Sequence, residues 1–364
     1  MSSVLRSLPW TLVVPGIALV ALAVTWGRKP GDVVLAIVAA FLAGAVLASV
    51  HHAEVVAHRV GEPLGSLVLA VAVTVIEVGL VVTLMASGGS ETDTLARDTV
   101  FAAVMITCNG VVGLCLVVAT LRRRIATFNA EGTATAFATV ITLATLCLVL
   151  PNFTTTTPGP EFSGSQLAFA AVASLALYLM FVVTQTVRHR DFFLPVTSRG
   201  KLLADEEHAA LPSNRRTMLS LGMLATSLAA VVGLAKVESK PIEEMVASVG
   251  LPQAVVGVVI ALLVLLPESI AALNAARRGR TQISLNLALG SAMASIGLTI
   301  PSIAIASIWL DGPLELGLDP THIVLLALTA VVSVLTVVPG RATRLQGGVH
   351  LVLLAAFLVL TVQP

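Results

Sequence analysis

Charge is scarce in this sequence. Only 11% of its 364 residues are Asp, Glu, Lys or Arg, against 57% hydrophobic ones, and the net charge is only +1. Soluble domains carry about 25% charged residues, so the composition excludes one and points to a chain that threads a bilayer repeatedly. Near-neutrality gives no basic face for nucleic acid. Cysteine is scarce too: Cys108, Cys115 and Cys147 fall in apolar runs without CxxC spacing. That excludes a disulfide framework or a thiolate metal centre and leaves small core-filling side chains. Lys and Arg are absent from one place above all: the interior of every apolar run long enough to cross a membrane.

About 20 apolar residues in helical form cross about 30 Å of hydrocarbon. That ruler predicts an all-α polytopic membrane protein with eleven spans. They lie at about Leu8–Trp26, Asp32–His51, Leu64–Ala86, Thr99–Ala119, Thr133–Leu150, Gln166–Val187, Thr217–Ala235, Pro252–Ala276, Ser284–Ile308, Thr321–Val338 and Gly348–Val362. Arg6 and Ala21-Leu22-Ala23 resemble a cleavable signal; with Met1 heading the chain, we read the first span as a retained helix. Sixteen of the 21 Lys and Arg residues then fall on one side, in Arg6, Arg59 and the clusters Arg122–Arg124, Arg188–Arg216, Arg277–Arg280 and Arg341–Arg344. Only Arg28, Lys29, Arg97, Lys236 and Lys240 fall on the other, which predicts a cytoplasmic N-terminus and a C-terminus outside. Trp10, Trp26 and Trp309 read as interfacial anchors.

Setting the first span aside leaves ten, five on either side of the longest polar loop. An odd number makes the two halves enter the membrane from opposite faces, the build of many secondary transporters. Landmarks agree: Pro63 and Pro252 open the second helix of each half, Glu77 and Glu268 follow, and Pro151 and Pro339 close the fourth. The expected division is an extra N-terminal helix (1–28), a first repeat (29–187), a cytoplasmic linker (188–216) and a second repeat (217–364). Asp205-Glu206-Glu207 is diluted among basic residues, so the linker reads as a solvated connection.

Two glutamates stand deep in this apolar frame. A charge near the bilayer centre costs about 2.5–3.5 kcal/mol on insertion scales, so function is the default explanation for Glu77 and Glu268. With no Lys or Arg inside the spans, each carboxylate is expected to be neutralised by a proton or a bound cation. Alternation between those states describes a cation/proton exchanger. Two carboxylates balance one Ca2+, two protons balance them again, and a monovalent ion fits if one carboxyl keeps its proton. Pro267 removes a backbone donor and leaves the Leu263 carbonyl open, and hard cations seek such oxygens. Thr107, Asn109, Ser291 and Ser295 offer more oxygens near the middle of the following spans, as ligands or as packing residues. Gly110, Gly113, Gly290 and Gly297 are expected to let helices approach closely.

His51, Glu54 and His58 share a helical face near a span end. They read as a polar helix end, with a cytoplasmic pH sensor and a zinc site as alternatives. The histidines fall at span ends and no cofactor is indicated, so an intramembrane metalloenzyme is disfavoured. A passive channel remains a second class, separated by whether the cation moves only against a counter-ion.

The stretch His51-His52-Ala53-Glu54-Val55-Val56-Ala57-His58-Arg59-Val60-Gly61-Glu62-Pro63-Leu64-Gly65-Ser66-Leu67, running on to Glu77, resembles the ChaA-type bacterial calcium (sodium, potassium)/proton antiporters of the calcium/cation antiporter superfamily. So do Pro267-Glu268 and Asn286-Leu287-Ala288-Leu289-Gly290-Ser291. The resemblance spans nearly the whole chain. It implies a bacterial inner-membrane protein with two inverted five-helix repeats, whose alpha repeats cover about 61–119 and 250–308. It also implies that Glu77 and Glu268 are the carriers of Ca2+, Na+ or K+ and of protons. Val73-Thr74 and Val264-Leu265 stand where relatives often have Gly-Asn, so Thr74 is the polar residue left beside Glu77.

Overall fold

The computed structural model describes residues 9–28, 30–61, 64–86, 93–122, 124–195, 212–310 and 312–364. The expectations placed on Glu62, Pro63, Arg199, Lys201 and Asp205-Glu206-Glu207 lie outside them. Among the described residues ten helices are long and apolar enough to cross a membrane. The first predicted span is the exception. It forms α1 (Trp10–Thr25), 16 residues, or about 24 Å at 1.5 Å per residue, which is short of a full hydrocarbon core.

The remaining helices follow the apolar runs. They are α2 (Asp32–Val60), α3 (Leu64–Met85), α4 (Leu95–Met105), α5 (Val112–Arg122), α6 (Ala130–Ala144), α7 (Gly164–Val183), α8 (Asn214–Ser248), α9 (Ala254–Arg277), α10 (Thr281–Ala306), α11 (Pro320–Val337) and α12 (Arg344–Val362). A π-helical turn, Ile106–Val111, joins α4 to α5 within one span. Matching start signals mark equivalent helices of the two halves. The fourth helices, α6 and α11, are capped by Asn129 and Asp319. The fifth, α7 and α12, open with the capping boxes Ser163/Gln166 and Thr343/Gln346, each Gln accepting from the cap N–H at 2.9 and 2.7 Å. Each cap satisfies a backbone donor that the first helical turn leaves open.

The chain forms two compact units, one from Met1–Thr92 with Ala209–Gly250, the other from Asp93–His208 with Leu251–Pro364. The first holds α1, α2, α3 and α8. Its two longest helices, α2 with 29 residues and α8 with 35, are the opening helices of the two halves, and they pack against each other.

The second unit holds the other helices. The α4–α5 span is its hub: 89% of its most apolar window is buried, against 28% for the α7 and α12 spans. The connections of this unit pair crosswise. At one end β1 (Ala126–Thr127), between the third and fourth helices of the first half, pairs antiparallel with β2 (Arg341–Ala342), between the fourth and fifth of the second. Beyond the other end of α6, Glu161 bridges Glu315 with the roles of the halves exchanged. Two inverted repeats require that exchange.

Candidate cation site

In the first unit Glu77 is 3% and Thr74 is 6% exposed. The spacing of three puts them on one face of α3. The stretch carrying them is held at both ends. Ala72 packs with Ala53 of α2 and Leu224 of α8. Gly79 faces Val232 of α8 so closely that a Cβ would lie 2.7 Å from its Cγ2. Small residues at such crossings let membrane helices pack backbone to backbone.

In the second unit α9 runs through Pro267 without ending, and half-buried Glu268 follows it. With no N–H at 267, the Leu263 carbonyl has no donor one turn ahead. Ser269 turns its hydroxyl back to the Leu265 carbonyl at 2.7 Å. The π-helical turn bearing Thr107 and Asn109 packs against α9 and against α10, which bears Ser291 and Ser295. Two runs far apart in sequence thus bring their polar residues into one unit. Thr107 donates its hydroxyl proton to Ala103 O at 2.6 Å and Val104 O at 3.2 Å. Ser295 is 3% exposed and Ser291 half-buried.

Asn109 is engaged elsewhere. Its Nδ2 donates to Thr329 Oγ1 at 2.9 Å, and His350 Nδ1 lies 3.1 Å from its Oδ1. His350 Nε2 lies 3.2 Å from Thr336 Oγ1. Sequence reading missed these partners. His350 is fully buried two turns into α12, so the expectation that the histidines fall at span ends is corrected there; His322, 8% exposed, does lie in the first turn of α11. The signal was present: an ionisable residue in an apolar run, with Thr329 and Thr336 seven residues apart on one helix face.

Three of the four expected close-packing glycines meet neighbours. A Cβ at Gly110 would lie 2.9 Å from Leu354, at Gly113 2.9 Å from Gly347 O, and at Gly297 2.6 Å from Tyr178 Cβ. Gly290 is a correction: a Cβ there meets nothing within 4 Å, so no neighbour requires its small size. His51 is half-buried on α2, while Glu54 and His58 are exposed. Among the described residues no three His, Cys, Asp or Glu side chains gather to hold a metal, so the zinc alternative has no site. The buried imidazole there is His52, whose ring nitrogens lie 3.3 Å from Ser220 Oγ and 3.0 Å from Thr11 O.

The sequence profile of the sodium/calcium exchanger protein family matches residues 31–187 and 219–363. The protein y4hA of Sinorhizobium fredii is 45% identical over 98% of this chain and 96% of its own. The sodium-potassium/proton antiporter ChaA of Escherichia coli is 32% identical over 96% and 95%. Among solved structures, YfkE superposes with a TM-score of 0.70 at 15% identity over 98% of this chain and 99% of its own. The H+/Ca2+ exchanger CAX superposes with 0.71 at 16% identity over 96% and 86%. A fold shared this fully, and a profile that matches both halves, make this chain a member of the sodium/calcium exchanger protein family, a cation-exchanging transporter of the calcium/cation antiporter superfamily.

Proposed function

We propose that the protein is a secondary active antiporter of a bacterial inner membrane that exchanges cytoplasmic Ca2+ for protons by alternating access. Glu77 and Glu268 carry the cation or the protons in competition. The observation that carries this reading is the position of these acids in mid-helix, each within an apolar span, in a chain whose two halves both match an exchanger family. Loaded with Ca2+ or with two protons, the pair of carboxyls is neutral; emptied, it is doubly negative. Moving that charge through a low-dielectric barrier is costly, so the transporter changes face only when loaded, and exchange is obligatory.

The supporting oxygens divide by what holds them. Thr74 backs Glu77 on the same helix face, and the Leu263 carbonyl, Thr107, Ser291 and Ser295 serve as ligands or through water around Glu268. Asn109 acts one step removed, since its amide is spent on α11 and α12. The side rich in Lys and Arg, with the N-terminus, faces the cytoplasm. His51, Glu54 and His58, toward the end of α2, are the residues to mutate for pH sensing.

A second reading has its own support. The relative ChaA is named for sodium and potassium, and monovalent exchange needs only that one carboxyl keep its proton. Purified protein in liposomes with a luminal pH indicator separates the two. Ca2+ added outside should alkalinise the lumen as Ca2+ enters and protons leave; a response to Na+ or K+ alone selects the monovalent reading. Cation entry without any proton movement overturns both.

A further inference from the structure

The buried polar chain between α11, α12 and the π-helical turn is not explained by the carriers themselves. Its hydrogen-bond directions follow from taking the Thr329 hydroxyl as the first donor. The Thr329 hydroxyl donates to the Leu325 carbonyl at 2.8 Å, because a carbonyl can only accept. The Met105 sulfur, 3.6–3.7 Å from Asn109 Nδ2 and Thr329 Oγ1, is a much weaker acceptor. Thr329 Oγ1 therefore accepts from Asn109 Nδ2 at 2.9 Å. That fixes the amide and turns Asn109 Oδ1 toward the ring of His350. Oδ1 can only accept, so Nδ1 of His350 carries a proton, and a neutral ring then receives the Thr336 hydroxyl at Nε2. Asn109, Thr329 and His350 are 0% exposed and Thr336 2%.

The ring is also held sterically. Phe137 lies stacked over it, with centroids 6.4 Å apart and planes at 25°. At Gly113 and Gly347 the backbones of α5 and α12 meet: a Cβ on Gly347 would stand 2.8 Å from the Gly113 carbonyl oxygen. α12 thus has little freedom to slide where His350 reaches Asn109.

We propose that His350, as the Nδ1–H tautomer, is a positioning residue: by holding Asn109 it fixes the register of the π-helical turn and so the direction in which Thr107 faces. A π-turn absorbs one extra residue in a helix. Moving it by one position rotates the residue it passes by about 100° around the axis. The turn packs against α9 and α10, so its register decides which oxygens those helices meet. The inference rests on the exchange reading above, in which α9 carries Glu268 and the oxygens around it select the ion.

The test uses the full chain in liposomes, with Ca2+ and Na+ as separate probes and apparent KM and Vmax both measured. Asn in place of His keeps a donor near the Nδ1 position; Gln keeps a polar group near the Nε2 position instead. H350N should hold KM within about threefold of the parent, whereas H350Q and H350L should raise it about tenfold or more, with the smaller change in Vmax. Equal KM shifts in H350N and H350Q, or none in either, overturn the proposal, and this pair decides the matter even if H350L does not fold. 15N NMR of the labelled histidine should show the neutral Nδ1–H tautomer from pH 6 to 8; an Nε2–H tautomer also overturns it. E77Q and E268Q, run in parallel, test the underlying reading separately. Exchange that survives in both removes that reading and leaves the NMR result to judge the hydrogen-bond chain alone.

Discussion

Glu161 and Glu315 face each other across an isolated antiparallel bridge, and the backbone N–H of Glu315 also donates to Asp93 O at 3.2 Å. Three acidic residues are thereby gathered on the loops of the second unit. Partial burial, then the neighbouring charges of Glu315 and Asp93, push the Glu161 carboxyl above its ordinary value. An acid whose pKa is raised on folding contributes stability at low pH that is lost as pH rises through the folded value. E161Q should therefore gain thermal stability over the parent at pH 7 to 8 and none at pH 4. A gain that is the same at every pH would show that the carboxyl's charge is not the cause.

Replacing either carrier by its amide removes the titrating group while keeping its shape. E77Q and E268Q should each reduce cation-driven proton flux by at least about 100-fold. Both should still elute as folded protein in detergent. Exchange at the parental rate in either variant removes that residue from the mechanism.

Pro267 offers a finer test of the Leu263 carbonyl. In P267A the restored N–H donates to that carbonyl and competes with any cation for it. Apparent KM for Ca2+ should rise about tenfold, equivalent to about 1.4 kcal/mol, with thermal stability unchanged or improved. An unchanged KM takes Leu263 off the ligand set.

Asp98 accepts from Arg97 Nε at 2.8 Å and from Thr94 Oγ1 at 3.0 Å, and Arg97 reaches Gly317 O at 3.2 Å. Both ionic side chains are largely buried, 14% and 5% exposed. Removing one charge leaves the other buried without compensation, which costs about 3 kcal/mol. D98N should lower the melting temperature of the detergent-solubilised protein clearly; D98N with R97Q should recover part of the loss.

The two glycines of α10 should behave oppositely. Alanine is favoured over glycine inside a helix by about 1 kcal/mol. At Gly290 nothing opposes that gain, so G290A should be neutral or stabilising. At Gly297 a Cβ would lie 2.6 Å from Tyr178 Cβ, and overpacking of this kind costs about 1–3 kcal/mol. G297A should therefore be the less stable of the two.

Long apolar runs made ten of the eleven predicted spans legible, because length and hydropathy alone determine what can cross a bilayer. Pro267-Glu268 was legible for the same reason, a charge and a helix breaker being conspicuous among aliphatic residues. What escaped depends on contacts between distant segments. Nothing local in Ile106-Thr107-Cys108-Asn109-Gly110-Val111 announces a π-turn, and the clasp that holds Asn109 comes from residues more than 200 positions later. α2 runs on to Val60, nine residues past the predicted span end, because a helix need not stop where its apolar run does. The Thr329 and Thr336 pair is readable once one asks which polar side chains share a helix face inside a span. The matched capping boxes of α7 and α12 are a second trace of duplication in the sequence, sharper than the prolines used to find it.

The crossed strand pair and acidic bridge have a consequence for assembly. Each half of the second unit lends a loop to the other at both ends, so the peptide between them is not what keeps them together. Two separately translated fragments, broken within 196–211, should recognise each other and complement in a cell. Covalent linkage of the halves then sets their equal stoichiometry of synthesis rather than their architecture.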